Sequence, residues 1–114
     1  GSDSAVRVPV REGGEGEPIF CVPGAGGGVN RFRGMVEHLK PGRPFYGLEP
    51  LGLSRALNEG PIEDVAVAFL DVVREVQPHG PYFLGGFSYG GHVAYTMAQR
   101  LRREGEEVAL LFLI

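Results

Sequence analysis

The residues whose types and spacing are best suited to chemistry are Gly86, Ser88 and Gly90, within Gly86-Phe87-Ser88-Tyr89-Gly90. The pattern is G-x-S-x-G, in which a serine rides a sharp bend between a strand and a helix and presents its hydroxyl as a nucleophile. Such a bend strains the serine backbone and brings its flanks so close that side chains would clash, so glycine is needed two residues before and two after. Gly86 and Gly90 meet that need, with Gly85 and Gly91 adding slack. The chemistry is acyl transfer: the serine splits one difficult transfer into two easier ones, and each passes through an oxyanion. The helix start offers main-chain donors and a positive dipole end where that oxyanion forms, which makes the Tyr89 N–H one donor. The other is expected in the loop after an early strand. Pro23-Gly24-Ala25-Gly26-Gly27 fits, and the Ala25 N–H is the donor chosen there; losing one such donor costs about 3 kcal/mol in the transition state.

In a chain with 19 glycines the pentapeptide can arise by chance, leaving Ser88 a mere turn residue. A strand before it, a helix after it and the upstream glycine loop weigh against that. Of the three histidines, His92 sits one turn along the following helix, about 6 Å down its axis, and moves away from the bend. His79 lies in a Pro-His-Gly turn and His38 near a helix end, so none of the three reads as the base. Asp64 and Asp71 precede Ser88 on a helix whose polar face needs charges, and read as solvated surface. Cys21 lies in an apolar strand, where a thiol behaves as a small hydrophobe. No metal-ligating set is singled out. Residues 24–28 have a rival reading as a dinucleotide-binding turn, with Glu49 ending the next strand at a suitable distance. The register fails, because counting from Gly24 puts Val29 at the third glycine position, and counting from Gly26 puts Arg31 there.

The elements that must position these residues follow from the apolar pattern. Pro18-Ile19-Phe20-Cys21-Val22-Pro23 reads as a short buried strand running into the glycine loop. Phe32, Val36 and Leu39 lie at helical spacing, with Pro41-Gly42 as the stop. Pro44 to Leu48 is a second strand, closed by Glu49-Pro50. Pro61 suits a first helical position, Glu63 and Asp64 complement a helix start, and Ile62, Val65, Ala66, Phe69, Leu70, Val73 and Val76 form one apolar stripe. Residues 81–87 form a strand, a helix runs from Tyr89 to about Glu104 with Gly105 as its stop, and Val108 to Ile114 is a last apolar strand. Near-continuously hydrophobic strands alternating with helices indicate an α/β domain: a mostly parallel sheet with helices on both faces.

Composition narrows the field. The chain has 114 residues, 43% of them hydrophobic in separated runs, which supports a packed core despite 19 glycines and 9 prolines. A formal charge of -3 with interspersed signs gives no basic face for nucleic acid, and no apolar run approaches the roughly 18 residues of a membrane span. A single cysteine and no secretory signal make the cytoplasm the default location. Residues 1–4 look like a cloning scar or linker, leaving 5–114 for the fold.

Three separated blocks carry a more specific likeness: Ile19-Phe20-Cys21-Val22-Pro23-Gly24-Ala25-Gly26-Gly27, Phe45-Tyr46-Gly47-Leu48-Glu49-Pro50-Leu51-Gly52-Leu53, and Pro81-Tyr82-Phe83-Leu84-Gly85-Gly86-Phe87-Ser88-Tyr89-Gly90-Gly91. With Val93-Ala94-Tyr95 and Ala98 they resemble the C-terminal (type I) thioesterase domains of nonribosomal peptide synthetases and polyketide synthases, in the α/β-hydrolase superfamily. The resemblance covers nearly all of residues 17–114. It implies that a peptidyl or polyketidyl chain, held as a thioester on the phosphopantetheine arm of a carrier-protein domain, passes to Ser88. The ester is then released by water as a linear acid, or by an internal amine or hydroxyl as a ring. No cofactor of the domain's own is implied.

An α/β-hydrolase with a full catalytic set needs roughly twice this length, and the family orders its triad as nucleophile, acid, base. The acid, the lid and the histidine are therefore expected beyond Ile114, so that 5–114 is the N-terminal portion of one domain, truncated before the lid and last strands. The remainder is expected as a separate chain or segment, since a bare apolar strand at Val108 to Ile114 invites aggregation. Other readings of the same pattern are an editing thioesterase, a carboxylesterase, and a noncatalytic module that only binds acyl carriers.

Overall fold

Five strands and two helices make up the described residues, 5–11, 16–24, 43–50 and 61–113, of a computed structural model. In chain order they are β1 (Ala5–Arg11), β2 (Ile19–Val22), β3 (Phe45–Pro50), α1 (Ile62–Val76), β4 (Tyr82–Gly86), α2 (Tyr89–Arg103) and β5 (Val108–Leu113). The strands form one sheet in the order β1-β3-β2-β4-β5. All neighbours run parallel except β1, which lies antiparallel to β3. The expected helix over Phe32, Val36 and Leu39 lies outside the described residues.

β2 and β4 sit at the centre of this order. Phe20, Cys21 and Val22 are successive buried residues, which requires cover on both faces of the sheet. α1 and α2 both serve crossovers running toward β5, from β3 to β4 and from β4 to β5, and the right-handed crossover rule places both on one face. There Phe20, Leu48, Tyr82 and Leu84 meet the α1 residues Val65, Phe69 and Val73 and the α2 residues Val93, Met97 and Leu101. On the opposite face Cys21 and Phe45 form a second buried pair, with Val8, Val10, Ile19, Phe87 and Phe112 against it.

The helix boundaries have local causes. Pro61 takes the N-cap of α1, one residue earlier than its expected first-turn place. Its backbone is extended there (φ -57, ψ 136), and its carbonyl accepts from the N–H groups of Asp64 (3.0 Å) and Val65 (3.3 Å). α2 ends as anticipated at Gly105, whose φ of +84 suits glycine. Gly105 N–H donates to Arg102 O (3.0 Å) and Glu106 N–H to Leu101 O (2.9 Å), the paired bonds of a Schellman stop.

β1 is the element the sequence reading did not identify. Val6, Val8 and Val10 alternate with Arg7, Pro9 and Arg11, a period of two that fits a strand with one apolar face. Pro9 is tolerated because, among the described residues, β1 pairs on one side only. β1 also explains why β3 continues through Glu49 and Pro50, which were expected to close it: they pair with Val6 and Ala5.

Candidate active site

In this strand order β2 connects toward one edge while β4 connects toward the other, so their chain continuations part at the C-terminal ends of two adjacent strands. A crevice opens at such a switch point, and ligands of open α/β sheets bind there. Ser88 and Gly24 both lie at that end.

The bend begins with Phe87, whose N–H donates to Val22 O (3.1 Å) and keeps the chain tied to β2 one residue past β4. Ser88 then adopts φ 54, ψ -122, the one positive φ of a non-glycine residue among the described residues. Holding it there costs about 1–3 kcal/mol, a strain that persists only where the surroundings over-determine it. They do so through Gly90 N–H to Phe87 O (2.8 Å) and Gly91 N–H to Ser88 O (2.9 Å). Close packing adds to this: a Cβ on Gly86 would overlap the Gly90 carbonyl, and a Cβ on Gly90 would overlap the carbonyls of Val22 and Pro23. The two glycines are thus needed because α2 starts directly against β4 and the end of β2.

Ser88 is exposed, and a Cβ placed on Gly24 would come 3.4 Å from its own Cβ and 3.1 Å from Phe87 O. Gly24, the first residue after β2 and Pro23, therefore runs alongside the serine. Ala25, the expected second donor, lies outside the described residues. Tyr89 is the first residue of α2, where an N–H has no intrahelical acceptor. The first turn of α2 carries no acidic side chain, whereas that of α1 carries Glu63 and Asp64. The positive end of the α2 dipole beside Ser88 is thus left without an in-helix carboxylate, which suits it to a developing negative charge.

His92 is exposed one turn along α2, and its carbonyl accepts from Thr96 Oγ1 (2.9 Å). His79 is at the opposite end of β4 from Ser88, with Nδ1 3.0 Å from Glu106 Oε2. Glu106 Oε1 accepts the Gly80 N–H (2.9 Å); that bond first, and His79 second, hold the Glu106 carboxyl below its ordinary pKa. His38 lies outside the described residues. Asp64 and Asp71 are exposed. Cys21 is fully buried, and burial pushes its thiol up to about 12, so it stays protonated and inert. Among the described residues no group of three or more His, Cys, Asp or Glu is placed to hold a metal, and no helix is long and apolar enough to cross a membrane.

Two features of the site were not read from sequence. The carbonyls of Val22 and Pro23 form the wall that excludes a side chain at Gly90, and being main-chain atoms they leave no residue-type signal. Gly85, read as slack, instead seats the ring of Phe112, since a Cβ there would overlap that ring.

Residues 17–114 match the family model described as "Thioesterase domain". The chain is 42% identical over 110 residues to malpinin synthetase of Mortierella alpina, a match covering 96% of this chain and 1% of that protein. It is 39% identical over 111 residues to the dimodular nonribosomal peptide synthase of Bacillus subtilis (strain 168), covering 96% of this chain and 5% of the relative. Solved structures that superpose include holo-AB3403, a four-domain nonribosomal peptide synthetase bound to AMP and glycine (TM-score 0.84, 26% identity, 95% of this chain and 8% of that one). Another is the NocB thioesterase domain in covalent complex with a fluorophosphonate nocardicin G analog (TM-score 0.73, 28% identity, 88% of this chain and 45% of that one). The chain thus spans a few per cent of the length of these two synthetases and under half of that solved domain.

Proposed function

The chain belongs to the thioesterase domain family, with the α/β-hydrolase fold of that family's solved members, and on that premise we propose that Ser88 is its acylated nucleophile. An acyl chain, peptidyl or polyketidyl, arrives as a thioester on the phosphopantetheine arm of a carrier domain. The Ser88 hydroxyl attacks the thioester carbonyl, its proton leaves with the departing thiol, and the acyl group remains on Ser88 Oγ as an ester. Water or an amine or hydroxyl of the same acyl chain then attacks that ester and frees the serine. Both steps pass through a tetrahedral oxyanion, for which the N–H groups of Tyr89 and Ala25 are the proposed donors.

The observation that carries the proposal is the Ser88 backbone, φ 54 and ψ -122, at the start of a helix with no first-turn carboxylate. A serine in an ordinary turn needs neither the strain nor the bare glycines around it. The relatives' composition supports the carrier partner, because matches include synthetases of nonribosomal peptides and a polyketide synthase, PksR of Bacillus subtilis (strain 168). An unassisted serine hydroxyl is a weak nucleophile, so Ser88 requires a base. His79 is engaged by Glu106 at the far end of β4, and His92 is offset along α2, so neither is assigned that role.

The test uses the full-length protein that carries this segment. Wild type is expected to hydrolyse or cyclise acyl-N-acetylcysteamine thioesters in preference to simple aryl esters, and Ser88→Ala to lose that turnover. Undiminished turnover by Ser88→Ala would remove the covalent mechanism. A preference for aryl esters would favour a carboxylesterase of the same fold.

A further inference from the structure

β4 ends in two adjacent glycines that serve opposite faces of the sheet. Gly86 meets the first turn of α2, through the Gly90 carbonyl. Gly85 faces the other way, as the register partner of Cys21 on β2 and of Phe112 on β5. Because a Cβ at Gly85 would overlap the Phe112 ring, that ring lies across the bare backbone of β4. Phe112 and Phe87 both pack against the buried pair of Cys21 and Phe45. Phe87 is the residue whose N–H is fixed by Val22 O and whose carbonyl receives the Gly90 N–H.

We infer that Phe112 is a positioning residue for Ser88, its ring clamping the last residues of β4 from the face opposite α2 and so holding the Phe87–Ser88 turn in its strained conformation. On the α2 side the turn is restrained by main-chain bonds and by the contact between Gly86 and Gly90. On the other side β4 has no side chain of its own at Gly85 to resist a shift, and the ring from β5 supplies that wall. Strain held from one face only relaxes by displacement toward the open face. A misplacement of about 1 Å at the reacting group costs on the order of 100-fold in rate. The inference rests on the reading of Ser88 as the nucleophile.

The experiment measures, in the full-length protein, the rate at which an alkyl fluorophosphonate labels Ser88, alongside kcat and KM for an acyl-N-acetylcysteamine thioester. All rates are normalised to the folded fraction. Phe112→Ala is expected to lower labelling and kcat by about tenfold or more, with KM changed by less than about twofold, the pattern of a misaimed rather than an unbound reactant. Phe112→Leu, which keeps an apolar cover over Gly85, recovers most of the rate. Gly85→Ala, which pushes the ring aside without removing it, reproduces the loss. Wild-type labelling in both Phe112→Ala and Gly85→Ala overturns the inference while leaving the nucleophile reading intact, as does a deficit that vanishes on normalisation. Labelling of Ser88→Ala at the wild-type rate takes down the nucleophile reading and the inference with it.

Discussion

At the scale of single residues, the Ser88 turn depends on positions that carry no side chain. Gly90 has no Cβ because the carbonyls of Val22 and Pro23 occupy that space, and these are backbone atoms that no rotamer change can move away. Gly90→Ala is therefore expected to force the start of α2 off β2 and to cut the acylation rate of Ser88 by about 100-fold, read by single-turnover kinetics. A rate within a factor of about two of wild type would show that the turn tolerates the displacement. The need for Gly86 was legible because the group it would strike, the Gly90 carbonyl, lies within the same pentapeptide, whereas Gly90 was legible only as the last glycine of the motif, its obstacles being main-chain atoms of β2 and the residue after it. The need for Gly85 was concealed because the group that fills its place, the Phe112 ring, comes from another strand and is brought there only by the β4–β5 register.

At the scale of elements, legibility followed how local the cause was. α1 and α2 were readable from apolar stripes at helical spacing, and the α2 stop from Gly105. That stop yields a prediction: Gly105 holds φ +84, with nothing near enough to obstruct a Cβ, so Gly105→Ala pays only for the left-handed backbone. The expected loss is about 1 kcal/mol in chemical denaturation, and no loss would mean that the α2 terminus relaxes freely. β1 was missed because Pro9, which cannot donate to a sheet ladder, argues against a strand despite the alternation, and because its partner β3 is distant in sequence. The α1–β4 connection is tied to the end of α2 by Glu106, which accepts the Gly80 N–H and meets His79. Its lowered pKa gives the sign of the pH effect: its contribution to stability is fully present above the ordinary carboxylate value of 4.5 and is lost as pH falls through the folded value. Glu106→Gln is accordingly expected to lower Tm at pH 7 and to flatten the fall in Tm on acidification. Parallel melting profiles for the two proteins would remove Glu106 from that role.

At the scale of the whole molecule, the sheet order explains why so few side chains are needed to define the site. β2 and β4 are neighbours whose continuations diverge, so Gly24 and the Ser88 turn meet at the same end of the sheet although they are far apart in sequence. The strand order itself was not readable from composition or spacing, since pairing is non-local; the alternation of strands and helices gave only the fold class. Residues 17–114 belong to the thioesterase domain family. In the proposed reaction the strained serine carries the acyl group between two attacks. The most direct test mixes the full-length protein with an acyl-N-acetylcysteamine thioester, quenches in acid within one turnover, and maps the peptides by mass spectrometry. The acyl mass is expected on the peptide containing Ser88, and is expected to be absent from Ser88→Ala. Product formation with no acyl mass on that peptide, or the same adduct elsewhere in Ser88→Ala, would contradict that reaction.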